Sequence, residues 1–259
     1  MKLEIKGMSY RYSGGSSVLR DIDLELIGPE LVCIIGPNGV GKSTLVKCIN
    51  RLVRPGEGTV LLDGVDVSSY SRKDLAMRIG YVPPDSRDMF SIPVLDAIMI
   101  GRHNIQGWRN TEADVDAVYG IMKLLGIEDL AMRNFNRLSS GQRQMVSIAR
   151  GLAMDTPVLI LDEPTSNLDV RYQVYVTEML RGIAEKKDRL IIMISHDLNI
   201  AAKYADEVVV MSEPGIVYAH GSPKEVITRQ TVRDVYGVDC EIEDHSGIPH
   251  AVLGSVLRK

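Results

Sequence analysis

The residues whose types and spacing could do chemistry begin at Gly36. Gly36-Pro37-Asn38-Gly39-Val40-Gly41-Lys42-Ser43-Thr44 fits the pattern G-x-x-x-x-G-K-[ST]. Glycines let a backbone approach a phosphate with no Cβ in the way. Consecutive N–H groups at a helix N-terminus then offer donors and positive dipole to an anion. In such a loop Lys42 reaches the β- and γ-phosphates of a nucleotide, and Ser43 ligates Mg²⁺. Two more positions carry matching chemistry: Asp162-Glu163 closes one apolar run and His196 closes another. An acid, a neighbouring acid and an imidazole beside a phosphate cradle predict metal-assisted phosphoryl transfer to water. Asp162 would hold Mg²⁺, directly or through water. Glu163 would orient or deprotonate the attacking water, and His196 would hydrogen-bond the γ-phosphate. Each has a plainer reading alone: a glycine turn that caps a helix, solvated carboxylates at a strand end, a satisfied turn histidine. Together, behind one loop, they favour the chemistry.

These groups need a scaffold that brings strand ends to one place, and the pattern supplies it. Leu31–Ile35 is a continuous apolar run, as a parallel strand buried on both faces requires. After the loop, Leu45, Cys48, Ile49 and Leu52 recur at helical spacing. Upstream, Ile22, Leu24 and Leu26 alternate with Asp21, Asp23 and Glu25, a half-buried antiparallel strand, and 13–17 reads as a turn. Short strands are expected over 59–62 and 78–82. Pro83-Pro84-Asp85 must then be irregular, since proline removes a donor and restricts its predecessor. From about Met89 to Gly151 the pattern is helical. Thr111 and Asp114 form a capping box, Val115, Val118, Met122 and Leu125 share a face, and Gly126 ends the helix. Ser139 and Gln142 form a second capping box, followed by a stripe of Met145, Ile148, Ala149 and Leu152. Buried strands resume at 158–161, 191–194 and 208–211. Asp169 and Asp197 cap the helices that follow the first two. Carboxylates at the C-terminal ends of central strands stand where open α/β sheets bind ligands.

Bulk properties narrow the class. At 259 residues the chain can bury a large core, and its composition is that of a globular protein. The net charge of −4, from 30 basic and 34 acidic residues, argues against nucleic acid as the partner. No apolar run approaches the roughly 18 residues of a membrane span, and Met1-Lys2-Leu3-Glu4 opens no apolar signal segment. A cytoplasmic protein that meets a membrane through a partner is the expectation. The three cysteines show no C-x-x-C pairing. Cys33 and Cys48 fall on apolar positions and read as small buried hydrophobes.

Set in order, these motifs closely resemble the ATP-binding cassette ATPases over nearly the whole chain. Tyr12 stands at the family's adenine-stacking aromatic. Leu138-Ser139-Ser140-Gly141-Gln142 resembles its LSGGQ signature, and 158–163 its Walker B strand and catalytic glutamate. Ser166-Asn167-Leu168-Asp169 resembles the D-loop, and His196 the switch histidine. The resemblance implies an α/β fold: a P-loop NTPase core with an N-terminal antiparallel β subdomain (1–87 and 152–259, with the C-terminal tail) and an inserted helical subdomain (88–151). It implies ATP as substrate, Mg²⁺ as cofactor, and a head-to-tail homodimer. Each nucleotide would lie between one copy's loop and Ser139, Ser140, Gly141, Gln142 and Asp169 of the other. A finer similarity is to the importers of ferric siderophores, haem and cobalamin, through Val94-Leu95-Asp96 to Gly101-Arg102, Val235-Tyr236-Gly237-Val238 and Gly247-Ile248-Pro249. It implies two membrane-spanning permease subunits, indirectly a substrate-binding protein, and a place on the inner face of the cell membrane. The permease surface would lie near 84–102.

Departures from the family matter as well. Val40, Ser140 and Asn167 are mild. Pro84 stands where the family has a glutamine that touches Mg²⁺ and the attacking water, and it has neither amide side chain nor N–H. Asp85 or a water substitutes, hydrolysis is slower, or coupling differs; slowed hydrolysis is expected, because Lys42, Ser43, Asp162, Glu163 and His196 all remain. The alternative function is a cassette ATPase of iron–sulfur assembly, DNA repair or translation, against which stand the single cassette and the absence of a long coiled-coil insertion. A nucleotide-responsive binding module is a third reading, if Pro84 abolishes turnover. The tail residues Cys240, Glu241, Glu243, Asp244, His245 and His250 match no strong metal template and read as a solvated acidic segment.

Overall fold

A computed structural model describes residues 1–12, 15–84, 91–103 and 111–257. The expected turn at Ser13-Gly14, the residue Asp85 and the start of the helical stretch at Met89 lie outside the described residues. The chain forms two compact units, Met1–Ser69 with Leu180–Lys259, and Tyr70–Met179.

The first unit opens with β1 (Lys2–Arg11) and β2 (Ser17–Ile27), paired antiparallel. Ile22, Leu24 and Leu26 are buried and Asp21, Asp23 and Glu25 exposed, so period-two alternation puts the apolar set on one face. β3 (Glu30–Ile35) is buried from Leu31 onward, and α1 (Lys42–Ile49) follows the glycine loop. This helix is shorter than its pattern: Arg51 takes φ 54°, the chain leaves the helix, and Leu52 is exposed. β4 (Glu57–Leu62) pairs with β1 and starts two residues before the expected strand. The short β5 (Val65–Asp66) completes that sheet.

In the second unit, α2 (Arg72–Ala76) is capped by Ser71, and β6 (Ile79–Val82) follows. α3 (Val94–Met99) leads to α4 (Glu112–Leu125), which carries the Thr111–Asp114 capping box and ends at Gly126 with φ 63°. Val118, Met122 and Leu125 are buried as expected, but Val115 is exposed. At 100° per residue Val115 lies at the rim of the arc that these three define with Asp114. Asp114 also accepts from Arg102 Nε at 3.0 Å. The Thr111 bonds first, and then Arg102, hold its carboxyl below the usual carboxylate range. α5 (Ser140–Ala153) buries the predicted stripe of Met145, Ile148, Ala149 and Leu152, and α3 and α4 pack against it. β7 (Val158–Leu161) runs parallel to β6, with Val82 opposite Leu161. α6 (Val170–Lys186), whose residues from Leu180 on belong to the first unit, is capped by Asp169, which accepts from Tyr172 N at 3.0 Å.

Back in the first unit, β8 (Leu190–Ile194) and β9 (Glu207–Ser212) flank β3, both parallel to it, and β10 (Ile216–Gly221) closes the edge antiparallel to β9. α7 (Leu198–Tyr204) is capped by Asp197. The tail, which gave mixed signals as sequence, is α8 (Pro223–Val226), α9 (Arg229–Tyr236) and a hairpin of β11 (Val238–His245) and β12 (Ile248–Val256). All three cysteines are buried, and burial pushes the Cys33 and Cys48 thiols up to about 12. Cys240 is buried in the hairpin while Glu241, Glu243, Asp244 and His245 are exposed; His245 Nε2 lies 2.9 Å from Glu243 Oε2 with its ring against His250, and no group of three metal-ligating side chains is present among the described residues.

The close approach of α5 to β6 rests on Gly151, where a Cβ would lie 2.3 Å from Val82 Cγ2. Gly151→Ala is expected to lower stability by about 1–2 kcal/mol, overpacking outweighing the better helix propensity of alanine. A lower midpoint in urea at unchanged slope is the measurement that checks it.

Candidate functional site

The glycine loop is shaped by crowding. Gly36 has φ 147°, and a Cβ there would sit 2.3 Å from the Met211 carbonyl oxygen. At Gly41, with φ 101°, a Cβ would meet Leu19 Cδ2 at 2.8 Å and the Val18 carbonyl at 2.9 Å. Any side chain at either position would push the loop off its neighbouring strands. The first α1 bond runs from Leu45 N to Gly41 O, 2.8 Å. No side chain caps this helix and its first turn carries no acid, which suits a helix N-terminus that receives an anion. Lys42 is 5% exposed, and its ammonium donates to Gly36 O at 2.8 Å and Pro37 O at 2.7 Å. The cation thus lies across the loop, held by the carbonyls at its entry. Asn38 and Gly39 are exposed, Ser43 is half-buried, and Val40 and Thr44 are buried. The Tyr12 hydroxyl lies 3.4 Å from Thr44 Oγ1 and its ring meets Tyr10 edge-on, leaving Tyr12 45% exposed at the loop.

His196 reaches the same edge of this unit because β3 and β8 are parallel and in register, Ile34 opposite Ile194. The ladder ends with Ser195 N donating to Ile34 O at 3.0 Å. Ser195 Oγ accepts from Asp197 N at 3.1 Å, and Asp197 Oδ1 accepts from Asn199 N and Ile200 N at 2.8 and 3.0 Å. The exposed His196 therefore sits in a turn anchored on both sides.

In the second unit the parallel pair β6 and β7 delivers Pro83-Pro84 and Asp162-Glu163 to one edge. Asp162 N donates to Val82 O at 2.9 Å. The Asp162 side chain is fully buried, and the Tyr81 hydroxyl donates to its Oδ2 at 3.2 Å. Burial, and then the Asp162 charge, push the Tyr81 phenol up, which keeps it a donor. Glu163 takes φ 53°, a left-handed conformation that costs a residue with a Cβ. Its carbonyl accepts from Ser166 N and Oγ at 3.3 and 3.0 Å, which fixes the turn. Pro84 is half-buried beside these groups.

The same unit joins the signature to the D-loop. Ser139 and Gln142 make the reciprocal cap, at 3.2 Å from Gln142 N to Ser139 Oγ and 3.1 Å from Ser139 N to Gln142 Oε1. Ser140 is exposed, and a Cβ on Gly141 would lie 3.5 Å from Asn167 O. Ser139, Gly141, Gln142, Asn167 and Asp169 line one cleft of about 510 Å³. Sequence reasoning missed Tyr81 as the partner of Asp162; an aromatic at a strand end carries no mark of what its hydroxyl will meet.

Comparison with known proteins agrees with this geometry. Residues 19–166 match the ABC transporter family. An uncharacterized ABC transporter ATP-binding protein of Methanocaldococcus jannaschii is 38% identical over 252 residues, which are 97% of this chain and 98% of that protein. The petrobactin import ATP-binding protein of Bacillus anthracis is 36% identical, over 93% of this chain and 88% of its own length. The cobalamin import ATP-binding protein of Halobacterium salinarum is 38% identical over 91% of this chain, which spans only 59% of that relative. A dimeric bacterial ABC transporter cassette superposes with a TM-score of 0.76 at 26% identity, over 85% of this chain and 98% of its own. With its phosphate loop, signature helix and strand-end carboxylates in this order, the chain belongs to the ABC transporter family.

Proposed function

We propose that this chain is the ATP-hydrolysing subunit of an ABC importer, energising uptake of an iron chelate or cobalamin through a membrane-spanning partner. The observation that carries the ATPase reading is the buried Lys42 ammonium laid across an uncapped helix N-terminus, with His196 at the same strand edge. Iron chelate and cobalamin come from the relatives that import petrobactin and cobalamin.

Each residue has a role that its surroundings allow. Tyr12 stacks on the adenine. The amides of Gly36 to Thr44 and the Lys42 ammonium bind the phosphates. Glu163 orients the attacking water and takes its proton. His196 hydrogen-bonds the γ-phosphate. The donor set suits Mg²⁺: the Ser43 hydroxyl and the Asp162 carboxylate are hard oxygen ligands, and Tyr81 holds one Asp162 oxygen in place. When bound, the ion neutralises charge on the phosphates. Ser139, Ser140, Gly141, Gln142 and Asp169 serve the nucleotide of a second copy. Among the described residues the Ser139 hydroxyl only accepts, from Gln142 N, so its own proton is available to a phosphate. Residues 88–151 are the helical subdomain of this cassette. Its place is the inner face of the membrane, reached through permease subunits; no described helix is long and apolar enough to cross a bilayer.

Glu163→Gln should lower turnover by about 10²–10⁴-fold and trap an ATP-bound dimer in size-exclusion chromatography; a species that stays monomeric with ATP would overturn the sandwich. Pro84→Gln should raise Mg-ATP turnover of the isolated protein, and an unchanged or lower rate would show that the missing glutamine does not limit it. Tagged protein drawn from gently solubilised cells should bring down a polytopic membrane protein in about equal amount. Recovery of soluble partners alone would remove the importer and leave the ATPase.

A further inference from the structure

The C-terminal α9–hairpin segment touches two parts of the nucleotide edge in the first unit. One contact is at α7, directly after the His196 turn. The Asn199 side chain accepts from Ala251 N at 2.8 Å and donates to Ala251 O at 3.3 Å. Both backbone groups of Ala251, a buried residue of β12, are thus satisfied by one amide side chain rather than by a strand. This is possible because Ala251 lies opposite Ile242 at a site where β11 leaves its N–H and C=O pointing outward. Asn199 is in the first turn of α7, where its own N–H also binds Asp197 Oδ1. A shift of β12 therefore acts on the cap that anchors the His196 turn.

The second contact comes from the end of α9. The Tyr236 phenol oxygen is buried against the Gly36 backbone at the start of the phosphate loop. Between the two contacts runs a cleft of about 470 Å³, lined by His196, Leu198, Val232, Tyr236 and Leu253 among others. One continuous stretch of chain thus abuts both the phosphate loop and the helix behind His196, although none of its residues belongs to a nucleotide motif.

We infer that Asn199 is a positioning residue: through its two-point clasp on Ala251, the C-terminal hairpin sets the position of the His196 turn against the phosphate loop, and thereby the rate of hydrolysis. The clasp acts on the transition state and not on nucleotide binding, because the loop amides and Lys42 are anchored independently of it. The inference rests on the assignment of His196 to the γ-phosphate.

The test uses the full chain and compares Asn199→Ala, Asn199→Asp and His196→Ala. Asn199→Ala should lower kcat about ten- to a hundredfold, the scale of a misplaced group, with KM for ATP within about twofold and faster amide exchange over 195–198. Asn199→Asp keeps the acceptor for Ala251 N and loses the donor, so its kcat should be intermediate. A clasp that only holds the hairpin would speed exchange over 238–256 and lower Tm with kcat unchanged, which overturns the inference. So would kcat, KM and Tm collapsing together without an intermediate Asp variant. If His196→Ala is inactive while Asn199→Ala is not impaired, the clasp alone fails. If His196→Ala keeps full turnover, the histidine assignment fails, and the clasp with it.

Discussion

In a parallel strand pair both chains finish at the same edge, and the functional geometry of this protein depends on that constraint. β3 and β8 run in register, so the phosphate loop and His196 leave their strands side by side, joined by a last ladder bond from Ser195 to Ile34. β6 and β7 repeat the arrangement in the other unit, where Asp162 bonds back to Val82. An antiparallel pairing would send each of these groups to the opposite edge from its neighbour. The strands are apolar on both faces, and that double burial holds the register from which the loops project.

Helix N-termini divide the remaining work. α4, α5 and α7 each begin with a side chain that accepts from the first turn, so one or two of their orphan donors are used internally. α1 begins at Gly41 without such a cap. The difference follows from residue type: the position that elsewhere holds Thr, Ser or Asp is here a glycine pressed against Leu19 and Val18. The same crowding excludes any side chain that could cap the helix there. The Lys42 ammonium lies across the loop and donates to two carbonyls at its entry.

Local strain marks the strand edge of the second unit that carries Asp162 and Glu163. Glu163 is held at positive φ by the Ser166 bonds to its carbonyl, and Asp162 is buried with a phenol on one oxygen. The conformation costs stability and is maintained by the turn around it. Both carboxylates are thereby oriented by their own unit's backbone, and Asp162 also by Tyr81.

What the sequence by itself determined is the chemistry and the local structure that carries it. The phosphate loop, both capping boxes in the helical region, the Asp169 and Asp197 caps, the alternating β2 and the buried strands are coded by residues within a few positions of one another. Their physics is therefore complete in a short window. Tertiary structure decided the rest. Tyr81 meets Asp162 across 81 positions, and Asn199 meets Ala251 across 52. Ser139 and Asn167 share a cleft, Val115 falls outside the buried arc of α4, and a tail without clear periodicity closes into a hairpin. Each depends on which strand ends and helix faces come together, and a hydroxyl or amide side chain carries no periodic signal for its distant partner. The choice is made when the packed core sets strand order and register.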